Sequence, residues 1–107
     1  MKQHTEKLAY ELASAAVSLS QAIYRLESAD EVKRFIEDLC TPAEIEALVD
    51  RWRVAQLLEK GLSYREISNL TEVSVTTIGR VARFMEFGEG GYRLALDGLK
   101  SQEEETA

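Results

Sequence analysis

Residues 63–85, SYREISNLTEVSVTTIGRVARFM, carry two helix-start signals with room between them for only a short helix and a tight turn. Ser63 is the first start, and Tyr64 to Leu70 make about two turns with Ile67 and Leu70 facing inward. Thr71 to Val73 form the turn, and Ser74 is the second cap. Val75, Ile78, Ala82 and Met85 follow at the 3-4-3 spacing of a buried helical stripe. Two short helices packed across such a turn form a helix-turn-helix and leave the second helix one free face. A face of that size fits the major groove of DNA.

At about 100° per residue, Thr76, Arg80 and Arg83 point away from the stripe, and Gly79 beside them lets a partner approach the backbone closely. No acidic residue falls between Val73 and Met85. Arginine pairs bidentately with a guanine edge, and threonine bonds phosphate or touches a thymine methyl. The competing reading of the same pattern is an ordinary helical hairpin with a solvated basic face.

A net charge of −6 runs against nucleic-acid binding until its distribution is followed. Residues 1–50 have a net charge of −5 and residues 86–107 of −4, whereas residues 51–85 have a net charge of +3, from Arg51, Arg53, Lys60, Arg65, Arg80 and Arg83 against Glu59, Glu66 and Glu72. The positive block coincides with the helix-turn-helix, as an electrostatic footprint does. It is a modest block, so one subunit alone binds weakly at physiological salt.

The rest of the chain reads as all-helical, with no alternation and no hairpin dipeptide. Thr5–Leu26 is one helix of about 33 Å, and Leu8, Leu12, Ala15, Leu19, Ala22 and Leu26 form a heptad seam along it. A second copy of the chain is its natural partner; the alternative is a long helix folded over its own monomer. Ser28 or Asp30 opens a second helix to about Leu39, burying Val32, Phe35, Ile36 and Leu39. Thr41-Pro42-Ala43-Glu44 opens a third, with proline at the first helical position and a capping box to Glu44. It runs to about Lys60 before Gly61, with Ile45, Leu48, Val49, Trp52, Ala55 and Leu58 as its inner stripe. Gly88-Glu89-Gly90-Gly91 is a flexible break, and Tyr92–Leu99 is a last helix presenting Leu94, Leu96 and Leu99. Residues 1–99 thus form one domain, and residues 100–107 an acidic disordered tail.

No stretch approaches the ~20 apolar residues of a membrane span, and no secretion signal is present, which places the chain in the cytoplasm. The only cysteine, Cys40, reads as a buried inert thiol. With a single histidine, His4, in a frayed tail, no zinc site is expected. No carboxylate sits in a constellation with His, Cys or a phosphate loop, so neither an enzyme nor a cofactor is expected.

The run Leu39 to Val54, LCTPAEIEALVDRWRV, with GLSYRE from Gly61 and TTIGR from Thr76, resembles the Trp repressor family, and within it the YerC/YecD branch of Trp-repressor-related proteins. The resemblance implies a six-helix intertwined homodimer that binds operator double-stranded DNA as a transcriptional repressor. It assigns DNA contact to Arg65, and to Val75, Thr76, Thr77 and Gly79 at the opening of the reading helix. With Ser74, Arg80 and Arg83, the candidate DNA-binding set is Arg65, Ser74, Thr76, Thr77, Gly79, Arg80 and Arg83.

The family's corepressor pocket maps onto Thr41, Arg51 and Arg80, where two arginines sandwich a tryptophan ring and meet its carboxylate. Two positions depart. A glycine that leaves room for the indole is Val81 here, and a serine that helps hold the amino-acid end is Phe84. Both are expected to plug the pocket, with Phe84 packed inward against the third helix, so tryptophan is not expected as corepressor. The arginines have a plainer alternative in pairing with neighbouring carboxylates or phosphate. The competing functional class is a dimeric protein-interaction module that keeps the fold without operator binding.

Overall fold

The computed structural model describes residues 5–106, with side-chain surroundings through Glu103; His4 lies outside them. Among the described residues there are six helices and no strand. The described residues fall into two compact units that divide between Pro42 and Ala43.

In the first unit α1 spans Glu6–Tyr24. Thr5 caps it by accepting a hydrogen bond from the Leu8 N–H at 3.3 Å, and Glu6 adds a negative charge at its positive end. The amides of Arg25 and Leu26 fold back on the Gln21 and Ile23 carbonyls. This ends the helix two residues before the expected Leu26 and shortens it to about 28 Å. No residue of α1 is buried, and Leu12, in the middle of the seam, is 54% exposed. The second helix, α2, spans Ala29–Leu39. Ser28 caps it, accepting from the Glu31 N–H at 3.1 Å, while the Glu31 carboxylate accepts from the Glu27 N–H at 3.0 Å. Lys33–Glu37 and Arg34–Asp30 ion pairs, each one helical turn apart, lie on its outer face. Val32, Phe35, Ile36 and Cys40 are only half-buried and Leu39 is exposed, so the burial expected of this stripe and of the thiol is partial.

The second unit holds α3 (Pro42–Glu59), α4 (Tyr64–Thr71), α5 (Val75–Phe87) and α6 (Gly91–Thr106). Its core joins Val54 and Ala55 of α3, Ile67 of α4, Val73 of the following turn, and Ile78 and Val81 of α5. Trp52, Leu57, Leu58, Leu62, Met85 and Tyr92 pack around them. Only the second half of α3 enters this core, while Leu48 and Val49, expected inside, are exposed. In α5 the buried stripe differs from the expected one. Val75 is 55% exposed, and Val81, at 2%, takes the inward place between Ile78 and Met85. Leu70 and Leu94 also face outward, whereas Leu96 is buried.

The Gly88–Gly91 segment is a defined turn rather than a loose break. The Gly88 N–H donates to the Phe84 carbonyl at 3.0 Å, and a Cβ at Gly88 would collide with that same oxygen. Gly90 adopts φ +83, where glycine carries no penalty. From there α6 continues to Thr106, through most of the stretch expected as a disordered tail. Lys100, Gln102 and Glu103 are straight-chain residues that lose little freedom in a helix. A charged clamp ties α6 to α3. Both guanidinium nitrogens of Arg93 fork onto the Glu59 carboxylate, Lys100 reaches Glu59 at 3.1 Å, and Arg93 also holds Asp97 at 2.9 Å.

Hydrogen bonds from Arg93, then from Lys100, hold the Glu59 carboxyl down at about 2, from an ordinary 4.5. A carboxylate depressed in the fold contributes stability that is complete above 4.5 and is lost as pH falls toward 2. Glu59→Gln should therefore lower Tm at pH 7. The gap to the parent protein should close across that acid window, as followed by circular dichroism melts. A gap that stays constant down to pH 2 would mean the clamp acts through packing alone.

Candidate nucleic-acid interface

The element that presents the candidate residues is α4, a three-residue turn and α5. Ser63 caps α4, accepting from the Glu66 N–H at 3.2 Å. Ser74 caps α5, accepting from the Thr77 N–H at 3.2 Å, and its hydroxyl donates to Thr77 Oγ1 at 3.1 Å. Thr71 organises the turn between them, a role not read from the sequence. Its hydroxyl donates to the Ile67 carbonyl at 2.7 Å and accepts from the Val73 N–H at 3.1 Å. Glu72 beside it sits in the left-handed region at φ 62, its N–H bonded to the Ser68 carbonyl at 2.8 Å. A threonine at a helix end followed two residues later by a buried valine is the pattern that could have revealed this staple.

α5 carries three kinds of surface. Ile78, Val81 and Met85 enter the core. Thr76 and Arg83 are exposed on a flank with Gly79, which lies against Tyr64 of α4. A Cβ at Gly79 would meet the Tyr64 ring at 3.8 Å, an ordinary contact, so packing does not demand glycine there. Arg65 is exposed in the first turn of α4. Arg51, Arg53, Arg65, Arg80 and Arg83 are all exposed, and among the described residues none of them makes an ion pair. Outside this block Lys33, Arg34, Arg93 and Lys100 are paired, whereas Lys7 and Arg25 are not. The alternative in which the candidate arginines are neutralised by neighbouring carboxylates is therefore not what the structure contains.

Arg80 also faces a cavity of about 420 Å³, lined by Arg51, Thr77, Arg80, Val81, Phe84 and Tyr92. The structure thus brings together Arg51, Arg80, Val81 and Phe84 of the expected effector pocket. Thr41 belongs to the other compact unit. One part of the expected plug is corrected. Val81 is buried in the core and also lines the cavity. Phe84 is 60% exposed rather than packed inward, because Met85 next to it takes the inward position and Tyr92 of α6 covers the core there. Tyr92 was not among the residues read from sequence, since its place depends on how the Gly88–Gly91 turn returns α6 to α5. Among the described residues no group of His, Cys, Asp and Glu could hold a metal ion, and no helix is long and apolar enough to cross a membrane.

The profile of the Trp repressor protein family matches residues 15–100. The chain is 39% identical over 89 residues to the uncharacterized protein YerC of Bacillus subtilis (strain 168), spanning 83% of this chain and 86% of that one. It is 35% identical over 65 residues to a Trp operon repressor homolog of Xylella fastidiosa (strain M23), spanning 60% of this chain and 71% of that one. A TrpR like protein from Eubacterium eligens ATCC 27750, solved by crystallography, is similar with a TM-score of 0.75 and 38% identity. That match covers 81% of this chain and 90% of that one.

The Thr71 staple is open to direct test. Thr71→Val keeps the shape and leaves the Val73 N–H without its partner, which costs about 1–3 kcal/mol for a buried donor. Urea unfolding should show that loss, and Thr71→Ser should restore most of it. Equal stability of the valine variant and the parent would remove the hydroxyl from the account of the turn.

Proposed function

The chain belongs to the Trp repressor family, a family of transcription regulators, and we propose that it is a homodimeric repressor that reads operator DNA with α4 and α5 as a helix-turn-helix. One observation carries this reading. Five arginines on α3, α4 and α5 stay exposed without an ion pair in a chain whose net charge is −6. Unpaired guanidinium groups beside an acid-free helix start suit phosphate and guanine edges. α5 enters the groove with Thr76, Arg80 and Arg83, Ser74 and Thr77 set its N-terminus near the backbone, and Arg65 reaches phosphate from α4. Such a protein works where the DNA is, in the cytoplasm. Tryptophan does not serve as corepressor, since Phe84 stands where the family holds the amino-acid end with a hydroxyl.

Dimerisation is supported by the uncovered apolar surfaces. α1 buries nothing, it carries no charge from Leu12 to Tyr24, and Leu48 and Val49 of α3 are also exposed. A helix this apolar is stable in water only when covered. Leu12→Glu with Leu19→Glu should abolish the folded dimer, because a charge at such a seam is costly. Light scattering that finds a well-folded parent monomer at micromolar concentration would sink the dimer.

For DNA, Arg65→Ala should cost about 1–3 kcal/mol in specific binding, with affinity falling steeply as salt rises. Gly79→Ala adds a second, opposed readout. It should raise stability by up to about 1 kcal/mol, since alanine is the better helix former and the space exists. It should also weaken binding if the groove approaches this backbone. Gel shifts on genomic fragments at two salt concentrations, paired with melts, measure both. Unchanged affinity in Arg65→Ala combined with Arg83→Ala would show that this face does not meet DNA, and would favour a protein-interaction module.

A further inference from the structure

Tyr64 opens α4 one residue before Arg65 and is 44% exposed. Its ring does not simply point into solvent. A Cβ at Gly79 of α5 would meet the ring at Cε2, 3.8 Å away. Cε2 adjoins the ring carbon that carries the hydroxyl, so the polar end of the side chain reaches across to α5. Gly79 is the one glycine of α5, three residues after Thr76 and four before Arg83. The ring stands where a longer side chain at Gly79 would go, on the flank that those two residues share.

The hydroxyl can donate one hydrogen bond and accept others. Among the described residues it makes none. Contact with α5 sets the direction of the ring before any partner arrives, which lowers the ordering cost of using it. In a docked helix-turn-helix the first helix crosses the phosphate backbone while the second enters the groove. Tyr64 lies where the two helices meet, at the N-terminus of the first. Tyrosine hydroxyls are among the groups that donate to phosphate oxygens.

We propose that Tyr64 is a DNA-positioning residue. Its hydroxyl donates to a backbone phosphate, and its ring, rather than the Gly79 backbone, is what the protein shows the DNA at that point. The proposal rests on the helix-turn-helix reading above and adds to it a neutral donor at the seam of the two helices. A phosphate contact carries no sequence information, so Tyr64 fixes how α5 enters the groove and not which bases it meets.

Fluorescence anisotropy of the full-length protein on the genomic fragments it retains, at several salt concentrations, tests the assignment, with a melt of each variant. Tyr64→Phe keeps the ring and removes the hydroxyl. It should weaken binding roughly tenfold, as loss of a hydrogen bond to a charged group does. The loss should be equal on fragments of different sequence, with Tm at the parent value. The salt slope should also stay unchanged because no cation is removed, whereas Arg65→Ala should reduce it by about one. Gly79→Ala leaves the ring its room and should bind as the parent does. Parent-like affinity of Tyr64→Phe overturns the proposal. So does a loss confined to some sequences, a loss accompanied by a fall in Tm or in salt slope, or weakened binding by Gly79→Ala. Each of those results leaves the arginine face its DNA assignment. A parent protein that retains no fragment even at low salt overturns the helix-turn-helix reading itself, and the role of Tyr64 with it.

Discussion

Ile67 and Ile78 share one core with Val54 and Ala55, and that shared burial governs how α5 leaves α4. The core is small and wholly apolar; among the described residues no polar or charged side chain is buried. Apolar contact alone is non-directional, so it specifies closeness better than it specifies angle. The angle comes from the polar groups at the rim. Ser63 and Ser74 fix where each helix begins, and Thr71 ties the Val73 amide back to the end of α4. Val73 then inserts between the helices as the one buried residue of the turn. Hydrophobic burial stabilises the pair, and three hydroxyls give it a definite geometry.

The charge distribution follows the same division of labour. Acidic residues outnumber basic ones, and the cations of α6 are paired with acids of α3 and α6. Glu59 spends its charge on Arg93 and Lys100, and Asp97 on Arg93. Pairing on α2 likewise consumes Lys33 and Arg34 locally. Left without an ion pair among the described residues are Lys7, Arg25, Lys60 and five arginines within residues 51–83, and those five give a protein of net negative charge a cationic face. Total charge argues against nucleic acid, whereas the pairing pattern leaves the candidate arginines free to meet it.

Much of this was legible in the sequence, and the reasons differ by element. Helix starts were read well because caps are local: Thr5, Ser28, Ser63 and Ser74 all cap the helices that follow them. The joining of Arg51 to Arg80 was also legible, through the resemblance rather than through spacing. Inward faces were read less well. Val75, Leu70 and Leu94 are apolar and at helical spacing, yet exposed, while Val81, read as a pocket residue, also belongs to the core. Periodicity alone cannot separate a stripe that meets its own chain from one left for another surface, and in a chain of this size several stripes are uncovered at once. Tyr92 was invisible for a related reason, since its place depends on how the Gly88–Gly91 turn returns α6 to the core.

α5 therefore serves several surfaces with one rigid body. Its core flank is held by Ile78 and Val81, its outer flank carries Thr76 and Arg83, and Arg80 stands between that flank and the cavity. Within a helix these faces cannot reorient independently, because each residue turns with its neighbours.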